Sequence, residues 1–393
     1  MNHTGSIGFA ATRFATVVVL VVAALAGVSF SLGAENRPLT FFGDFRARVE
    51  ADFDSQTAAG VDRDDRTRVR IRARIGMEFA PDDTWSFVVR ARTGSDDSHQ
   101  SANLTILDLD DNDTGDADVN LDKWYVAGRG RGFRGWIGRN GFPFWKQNEL
   151  FLDDDATPAG IAVGWDREIG SGKLTVNAAY LSLPVGMQEF SGNLGGGQLV
   201  YETSADRVGV TVAAGLFNFD ATDSDPDAEI LLNGNGRRSY SIVSAGVQMR
   251  LPAGARPLVL GADVLHNAKE YAASGLDPFS AANRDETDGY AVSARLGSTG
   301  QKGGWLVGYT YARIEALAVN SSYAQDDWVR WGTAAEARGS NMRGHELRFG
   351  YALSKSIGML ARLYLVDAIT TDEDGNRYRV DFNYRFRNGR LGP

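Results

Sequence analysis

The most distinctive chemistry in this sequence is a row of arginines that recur at every second position. The row consists of Arg66, Arg68, Arg70, Arg72 and Arg74. Successive residues of a β-strand point to opposite sides of the sheet, so these guanidinium groups would share one face. Stacked guanidinium groups attract anions and could line a path for them. Further arginines at similar positions are Arg46, Arg48, Arg90, Arg92 and, at the end of a later segment, Arg139.

A loop at residues 141–158 is the second candidate for function, because it is too apolar and aromatic to lie comfortably in water. Its candidate residues are Phe144, Trp145, Glu149, Asp153, Asp154 and Asp155. If the arginine face encloses a pore, folding this loop into the lumen would bury its rings and bring its carboxylates to the arginines. We therefore predict that it forms a constriction. The alternative is an ordinary surface loop packed on its neighbours.

Other reactive chemistry is sparse. The chain has no cysteine and only four histidines, all isolated, and it contains no glycine-rich phosphate motif, nucleophile elbow or paired metal ligands. Acidic stretches at 108–116 and 372–376 resemble calcium loops, but the first lacks the bidentate glutamate of an EF-hand. Solvated loops, or loops bridged to lipopolysaccharide, are the preferred interpretation. We predict no enzyme activity, no cofactor, no metal site and no nucleic-acid partner.

The elements that must position these residues are β-strands, because the hydrophobic period is two along most of the chain. About sixteen segments show this alternation, each with one apolar face. Their approximate spans are 40–53, 66–79, 85–94, 119–128, 133–140, 159–168, 173–183, 194–203, 207–218, 240–251, 257–267, 288–297, 305–315, 343–353, 357–366 and 377–386.

The connections between the segments indicate the architecture. Short turns follow the even-numbered segments, whereas longer polar loops follow most of the odd-numbered ones, including 95–118, 219–239, 268–287 and 316–342. This is the pattern of an outer-membrane β-barrel with short periplasmic turns and long extracellular loops. Aromatic residues beside the turns, such as Trp85 and Trp305, fit the girdles at the membrane surface. A soluble sandwich or propeller is the alternative, but its loop lengths need not alternate.

Energetics place the arginines inside such a barrel. An arginine that faces lipid costs about 2–4 kcal/mol at the bilayer midplane, and the opposite faces of these strands are apolar. The same alternation directs Arg250, Arg295, Arg348 and Arg362 inward, together with the acids Asp44, Glu50, Glu202, Asp263 and Glu346. A neutralised and solvated wall without ion selectivity is the alternative to a role in transport.

The N-terminus carries a predicted sorting signal. Arg13 precedes an apolar run from Phe14 to Phe30, and small residues follow up to Ala34. This order is typical of a secretory signal peptide, here residues 1–34, which would leave residues 35–393 as the barrel. An uncleaved anchor helix is the alternative.

The mature chain resembles the putative porin family of Gram-negative outer membranes, and more distantly the sixteen-stranded porins. The resemblance rests on the arginine-rich opening strands, on Gly138 and Arg139 before the loop that contains Pro143, and on the aromatic final strand from Tyr378 to Phe386. It implies a homotrimeric, water-filled channel for small hydrophilic solutes, narrowed by the loop at 141–158. The lysines that line phosphate-specific members are not matched, so phosphate specificity is not implied.

Three functions therefore remain open from the sequence. The first is a passive porin with some preference for anions. The second is an export channel for an anionic polysaccharide, which would need a wider lumen. The third is a barrel that serves as an enzyme or adhesin and conducts no ions.

Overall fold

Strands at sixteen positions close into an antiparallel barrel in the computed structural model. The structure describes residues 39–94, 102–110, 118–182, 192–222, 238–274, 277–329 and 339–389. The unit that contains the barrel spans Pro38–Leu391. A second unit, Met1–Arg37 with Gly392–Pro393, lies outside the described residues, as does the predicted signal peptide. Among the described residues, no helix is long and apolar enough to cross a membrane.

Nineteen strands lie in the described residues, and all but β2 and β3 follow one another around the barrel in chain order. They are β1 (Leu39–Phe53), β2 (Ser55–Gln56), β3 (Asp62–Arg63), β4 (Arg66–Phe79), β5 (Trp85–Thr93), β6 (Leu104–Asp108), β7 (Val119–Gly130), β8 (Phe133–Arg139), β9 (Ala159–Ile169), β10 (Gly172–Ser182), β11 (Gly192–Ala205), β12 (Val208–Ala221), β13 (Tyr240–Ala253), β14 (Arg256–Asn267), β15 (Asp288–Gly297), β16 (Trp305–Ile314), β17 (Met342–Ala352), β18 (Ile357–Ala368) and β19 (Asp374–Gly389). The barrel closes because β1 pairs with both β4 and β19.

All sixteen predicted segments are strands of the barrel wall, so the predicted fold class is confirmed. Three short strands and one helix were not predicted. Strands β2 and β3 form a small hairpin, and α1 (Pro278–Ala282) lies between β14 and β15. Strand β6 pairs with β4 over Arg68–Ile71, beyond the end of β5. Strands β5 and β6 therefore share one position in the barrel wall, between β4 and β7.

The two faces of the wall differ as the alternation predicts. Phe45 is 43% exposed and Ile75 is 61% exposed on the outer face, whereas Arg48 is 2% exposed on the inner face. The outer surface is therefore an apolar band suited to lipid, and the inner surface carries the charges.

Short turns gather at one end of the barrel. Two-residue turns occur at 131–132 and 206–207, and all four of their residues have positive φ angles. Such turns match the right-handed twist of paired strands and hold them in register. Because short turns are periplasmic in outer-membrane barrels, the long loops lie at the extracellular end.

Candidate functional site

The arginine row lies on the inner face of the barrel, in the sector formed by β19, β1 and β4. Backbone pairing places Arg48 between Arg70 of β4 and Asp381 of β19. Two residues further along β1, Glu50 occupies the equivalent central position. Directly opposite residues on neighbouring strands lie about 4.5–5.5 Å apart at Cβ, so this register brings opposite charges into contact.

The middle of this sector is a buried network of ion pairs. Arg48 Nε donates to Asp381 Oδ1 at 2.6 Å, and Arg379 Nε donates to Glu50 Oε2 at 2.7 Å. Glu50 and Asp381 are both 0% exposed. Buried charges are tolerated only when they are paired and hydrogen bonded, so the acids of β1 and β19 are what allow these arginines to be buried.

The other predicted pore-lining arginines also have partners. Arg46 bonds Asn383, Arg66 pairs with Asp108, Arg68 and Arg70 pair with Glu50, Arg72 and Arg74 pair with Asp44 and Asp155, Arg90 pairs with Asp122, and Arg92 is buried.

Arg139 differs from the rest of the set. It shares the outward parity of Ile137, and its guanidinium donates to the backbone carbonyls of Thr157 and Leu121. It therefore ties the base of the loop at 140–158 to the wall.

This loop between β8 and β9, here called the third loop, enters the barrel. The Phe144 ring meets the inward Phe217 ring edge-on, with ring centroids 4.9 Å apart. The Trp145 backbone exchanges two hydrogen bonds with the side chain of Gln198, at 2.7 and 2.8 Å. At the far end of the loop, Asp155 accepts hydrogen bonds from the arginine row.

Three of the four predicted loop acids, Glu149, Asp153 and Asp155, are buried or half-buried. Asp155 bonds Arg72 Nη1 at 3.1 Å and Arg74 Nη1 at 2.8 Å. Asp153 is 5% exposed, whereas the side chain of Asp154 is 67% exposed and pairs with Lys146 at 2.7 Å. Of these acids, Asp155 contacts the arginine row in the described part of the chain, and it does so as a packed ion pair.

A second loop also fills the lumen, and it was missed by the sequence analysis. This seventh loop connects β16 to β17 through residues 315–341, of which 330–338 lie outside the described residues. Residues 316–325 are all buried. The apolar run from Ala316 to Val319, with Tyr323 and Trp328, is the signal that could have revealed it.

The seventh loop is held by charge at one end and by the third loop along its length. Asp327 contacts Arg379 Nη1 at 2.6 Å and Arg362 Nη1 at 3.3 Å. The Asp153 N–H donates to the Tyr323 carbonyl at 2.8 Å. The two loops therefore form one internal layer, and the arginine sector provides its counter-charge.

The space that remains lies against the opposite wall. A cavity of about 240 Å³ is bounded by the third loop, by the seventh loop and by strands β13 to β18. Its charged lining residues are Lys146, Glu149, Asp154, Arg295, Asp327, Glu346, Arg348 and Arg362. A polar space of this kind could pass or hold a small hydrophilic solute.

The carboxyl groups of the third loop differ in pKa. Burial, a hydrogen bond to Asp154 and repulsion from Asp154 and Asp327 raise the pKa of Glu149 to about 8. Burial and Glu149 also raise the pKa of Asp153 well above its usual range. Burial would raise the pKa of Asp155 as well, but Arg72 and Arg74 hold that pKa below its usual value. Asp155, which holds the third loop on the arginine row, is thus ionised at neutral pH, while Glu149 is largely protonated.

We expect the ion preference of the lumen to change with pH through Glu149. Raising the pH from about 7 to about 9 would ionise this carboxyl and add a negative charge to the cavity wall, so the ion preference should shift towards cations. Charged groups that face it are Lys146, Asp153 and Asp154 of its own loop, Asp327 of the seventh loop and Arg362 of β18. The measurement is the reversal potential against pH. Glu149→Gln should remove most of the shift, and an equal shift in that variant would contradict the assignment.

Comparisons with known proteins agree with this architecture. Residues 60–233 match the family model described as "Putative porin". The Pseudomonas putida OprB structure at high pH aligns with a TM-score of 0.56 and 12% identity, covering 88% of this chain and 94% of that chain. Salmonella typhi OmpF, in complex with daunomycin, aligns with a TM-score of 0.51 and 10% identity, over 89% and 98% of the two chains.

A loop-deletion mutant of OmpT, an outer membrane protein of Vibrio cholerae, has a TM-score of 0.50 and 13% identity, over 89% of this chain and 100% of that chain. A search of curated proteins finds no match. Identities this low establish a shared fold, and the family match adds sequence support over residues 60–233. The chain is therefore a porin-like β-barrel of the bacterial outer membrane, similar over residues 60–233 to the family described as "Putative porin".

Proposed function

We propose that this protein is a passive diffusion channel for small hydrophilic solutes, with a preference for anions. The observation that carries the proposal is the polar cavity left beside the two inward loops. Arg295 is exposed there, and no ion pair of Arg295 is found among the described residues. A narrowed, polar lumen inside a closed barrel selects by size and charge and does not require a conformational cycle.

The preference for anions is assigned to a different set of arginines from the row at 66–74. In that row Arg72 is buried, the other four arginines are half-buried, and all five pair with acids, so the charge of the row is largely compensated. The open side of the lumen carries Arg295 and Arg348 opposite Asp154 and Lys146 of the third loop. We propose that this side sets the ion preference, while the arginine row holds the loops that narrow the pore.

The direct test is the reversal potential of the purified full chain in a planar bilayer across a potassium chloride gradient. An anion-selective channel is the expected result. A cation-selective channel would keep the diffusion function and assign the selectivity to Asp154 and its neighbours. Folded protein that inserts without any conductance would contradict the proposal and favour an enzyme or adhesin.

Export of an anionic polysaccharide is the alternative function. It needs a wide lumen, and the third and seventh loops argue against one. An enzymatic barrel would need a nucleophile beside a base. In the described part of the chain, the recorded partners of His266 and His345 are Asp288 and the hydroxyl of Tyr309. We therefore propose a channel without catalytic activity.

The remaining features of the assembly are proposals as well. We propose that residues 1–34 are removed as a signal peptide, which N-terminal sequencing of the membrane form would test. We also propose a homotrimer whose extracellular loops contact lipopolysaccharide. Cross-linking in the outer membrane should then give a ladder that ends at three subunits.

A further inference from the structure

A second row of arginines crosses the inner wall on the side away from the buried network. Backbone pairing connects Arg250 to Val259, Val259 to Arg295, Arg295 to Gly308 and Gly308 to Arg348. The three arginines therefore lie on alternate strands at one continuous register, with small or apolar residues between them. We call these three residues the open arginine row.

The open arginine row is accessible, unlike the row at 66–74. Arg250 and Arg295 are exposed, and no ion pair or hydrogen bond of their guanidinium groups is found in the described part of the chain. Arg348 is bound on one edge only, where Nε and Nη2 donate to Glu346 Oε1 at 2.8 and 2.7 Å, which leaves Nη1 for a ligand. The charged neighbours of Arg295 are Arg348 and Arg250, both cations. This sector therefore has an excess of positive charge that the loops do not compensate.

Gly308 leaves a gap between two of these arginines. A Cβ atom at this position would lie 3.6 Å from Arg348 Cβ and 3.9 Å from Arg295 Cγ, so a larger side chain would occupy the space between their stems. Neighbouring strands are about 4.7–4.9 Å apart, which puts the backbones of Arg295 and Arg348 about twice that distance apart. Their long side chains can thus converge on one small group between them.

The cavity walls supply further hydrogen-bonding groups around this gap. Ser293 and Thr310 line the same cavity as Arg295 and Arg348. Gln248 lines this cavity and also a second one, of about 330 Å³, that contains Arg250. The open arginine row thus runs from one cavity to the next, and Gln248 borders both.

We propose that Arg295 and Arg348 bind the oxyanion group of a small solute across Gly308, and that Arg250 forms a neighbouring binding site for the same group. The group is a carboxylate or a phosphate, because the planar guanidinium donates two parallel hydrogen bonds to either oxyanion. Binding is weak, in the millimolar range, since a channel must also release what it binds. This site deepens the proposed function and rests on it.

The test uses the full chain in planar bilayers that carry a chloride current. Succinate and inorganic phosphate are titrated separately, and the concentration that halves the current is measured for each. The uncharged diamide of succinate controls for size. Saturable block by either anion, with no block by the diamide, is the expected result, and the anion that acts at lower concentration identifies the preferred head group. A current that no anion reduces would overturn the site while leaving the channel function intact.

Two variants locate the block. Arg295→Gln removes one guanidinium group from the site without breaking an ion pair of the described residues. We expect the half-blocking concentration to rise about tenfold. Gly308→Val retains every charge but fills the gap, and it should weaken the block to a similar extent. Arg284→Gln is the matched control, because this exposed arginine lies in the loop after α1 and pairs with Asp285 at 3.6 Å. If all three variants are blocked at the same concentration as the wild type, the site is overturned.

Loss of the channel function would be recognised separately. If the folded wild-type chain conducts no current, the same detergent-solubilised protein and its Arg295→Gln variant are titrated with succinate and phosphate by calorimetry. Heat of binding in the wild type that is lost in the variant would support the site without the channel. No heat in either protein would overturn the site.

Discussion

Deletion of residues 144–153 is expected to raise the single-channel conductance severalfold. This segment places Phe144 against Phe217 and crosses the lumen towards the arginine sector, so its removal joins the cavity beside it to the rest of the pore. The deletion also removes two backbone partners of the seventh loop, the Asp153 N–H and the Glu149 carbonyl. Conductance depends steeply on the narrowest cross-section, which is why this is the largest functional effect we predict.

The increase should nevertheless stop short of an empty barrel. Asp327 would still be held by Arg379 and Arg362, so part of the seventh loop would remain in the lumen. Removal of 58–60, at the exposed tip of the β2–β3 hairpin, is the matched control and should leave conductance unchanged. If a folded barrel that lacks 144–153 conducts like the wild type, the third loop does not narrow the passage.

Replacement of Glu50 by alanine is expected to cause the largest loss of stability. Glu50 is 0% exposed and lies within ion-pair distance of Arg48, Arg68, Arg70 and Arg379. Removing one partner of a buried ion pair leaves an uncompensated charge and costs about 3–5 kcal/mol. Unfolding by urea in detergent micelles, followed by tryptophan fluorescence, would measure the change in the free energy of unfolding.

The control for this experiment is a half-exposed acid of the same barrel. Asp166 pairs with Arg134 and Lys173 near the short-turn end, where the three side chains are 30–43% exposed. Exposed pairs contribute about 0–1 kcal/mol, so Asp166→Ala should be nearly neutral. An equal loss in both variants would mean that the network around Glu50 is not a special source of stability.

The same contacts change what charge reversal in the row at 66–74 should do. From the sequence alone, replacing Arg68, Arg70 and Arg72 by glutamate is expected to shift ion preference towards cations and leave the fold intact. In the structure, Arg72 bonds Asp44 and Asp155. Three glutamates at these positions would add buried repulsion, so we now expect release of the third loop and a less stable barrel.

The wall of the barrel could be predicted from the amino-acid sequence. Alternation with a period of two assigned every wall strand except the short β6, because side chains of a strand must alternate between lipid and lumen. The same alternation directed the row at 66–74 inward, since an arginine facing lipid is too costly. Turn lengths then set the even strand count and the end at which the long loops gather. These are local properties, and each can be deduced from one segment at a time.

The pairing of the charges across the barrel, in contrast, depends on the tertiary structure. Glu50 and Arg379 are 329 residues apart in sequence, and Arg48 and Asp381 are 333 residues apart. They are neighbours because the last strand closes on the first, and alternation within a strand does not specify the residue opposite. The face of the arginines at 66–74 was therefore predictable, whereas their burial was not.

The paths of the loops also required the tertiary structure. The third loop was predictable from its aromatic composition, but the seventh loop has no periodicity, and its inward course depends on Arg379 and Arg362 on distant strands. The role of Arg139 was also not predictable from its own strand, because its side chain donates to the carbonyl of Thr157 in the third loop. Periodicity fixes the face of a residue in a strand, whereas a loop goes where packing and counter-charge from the whole barrel stabilise it.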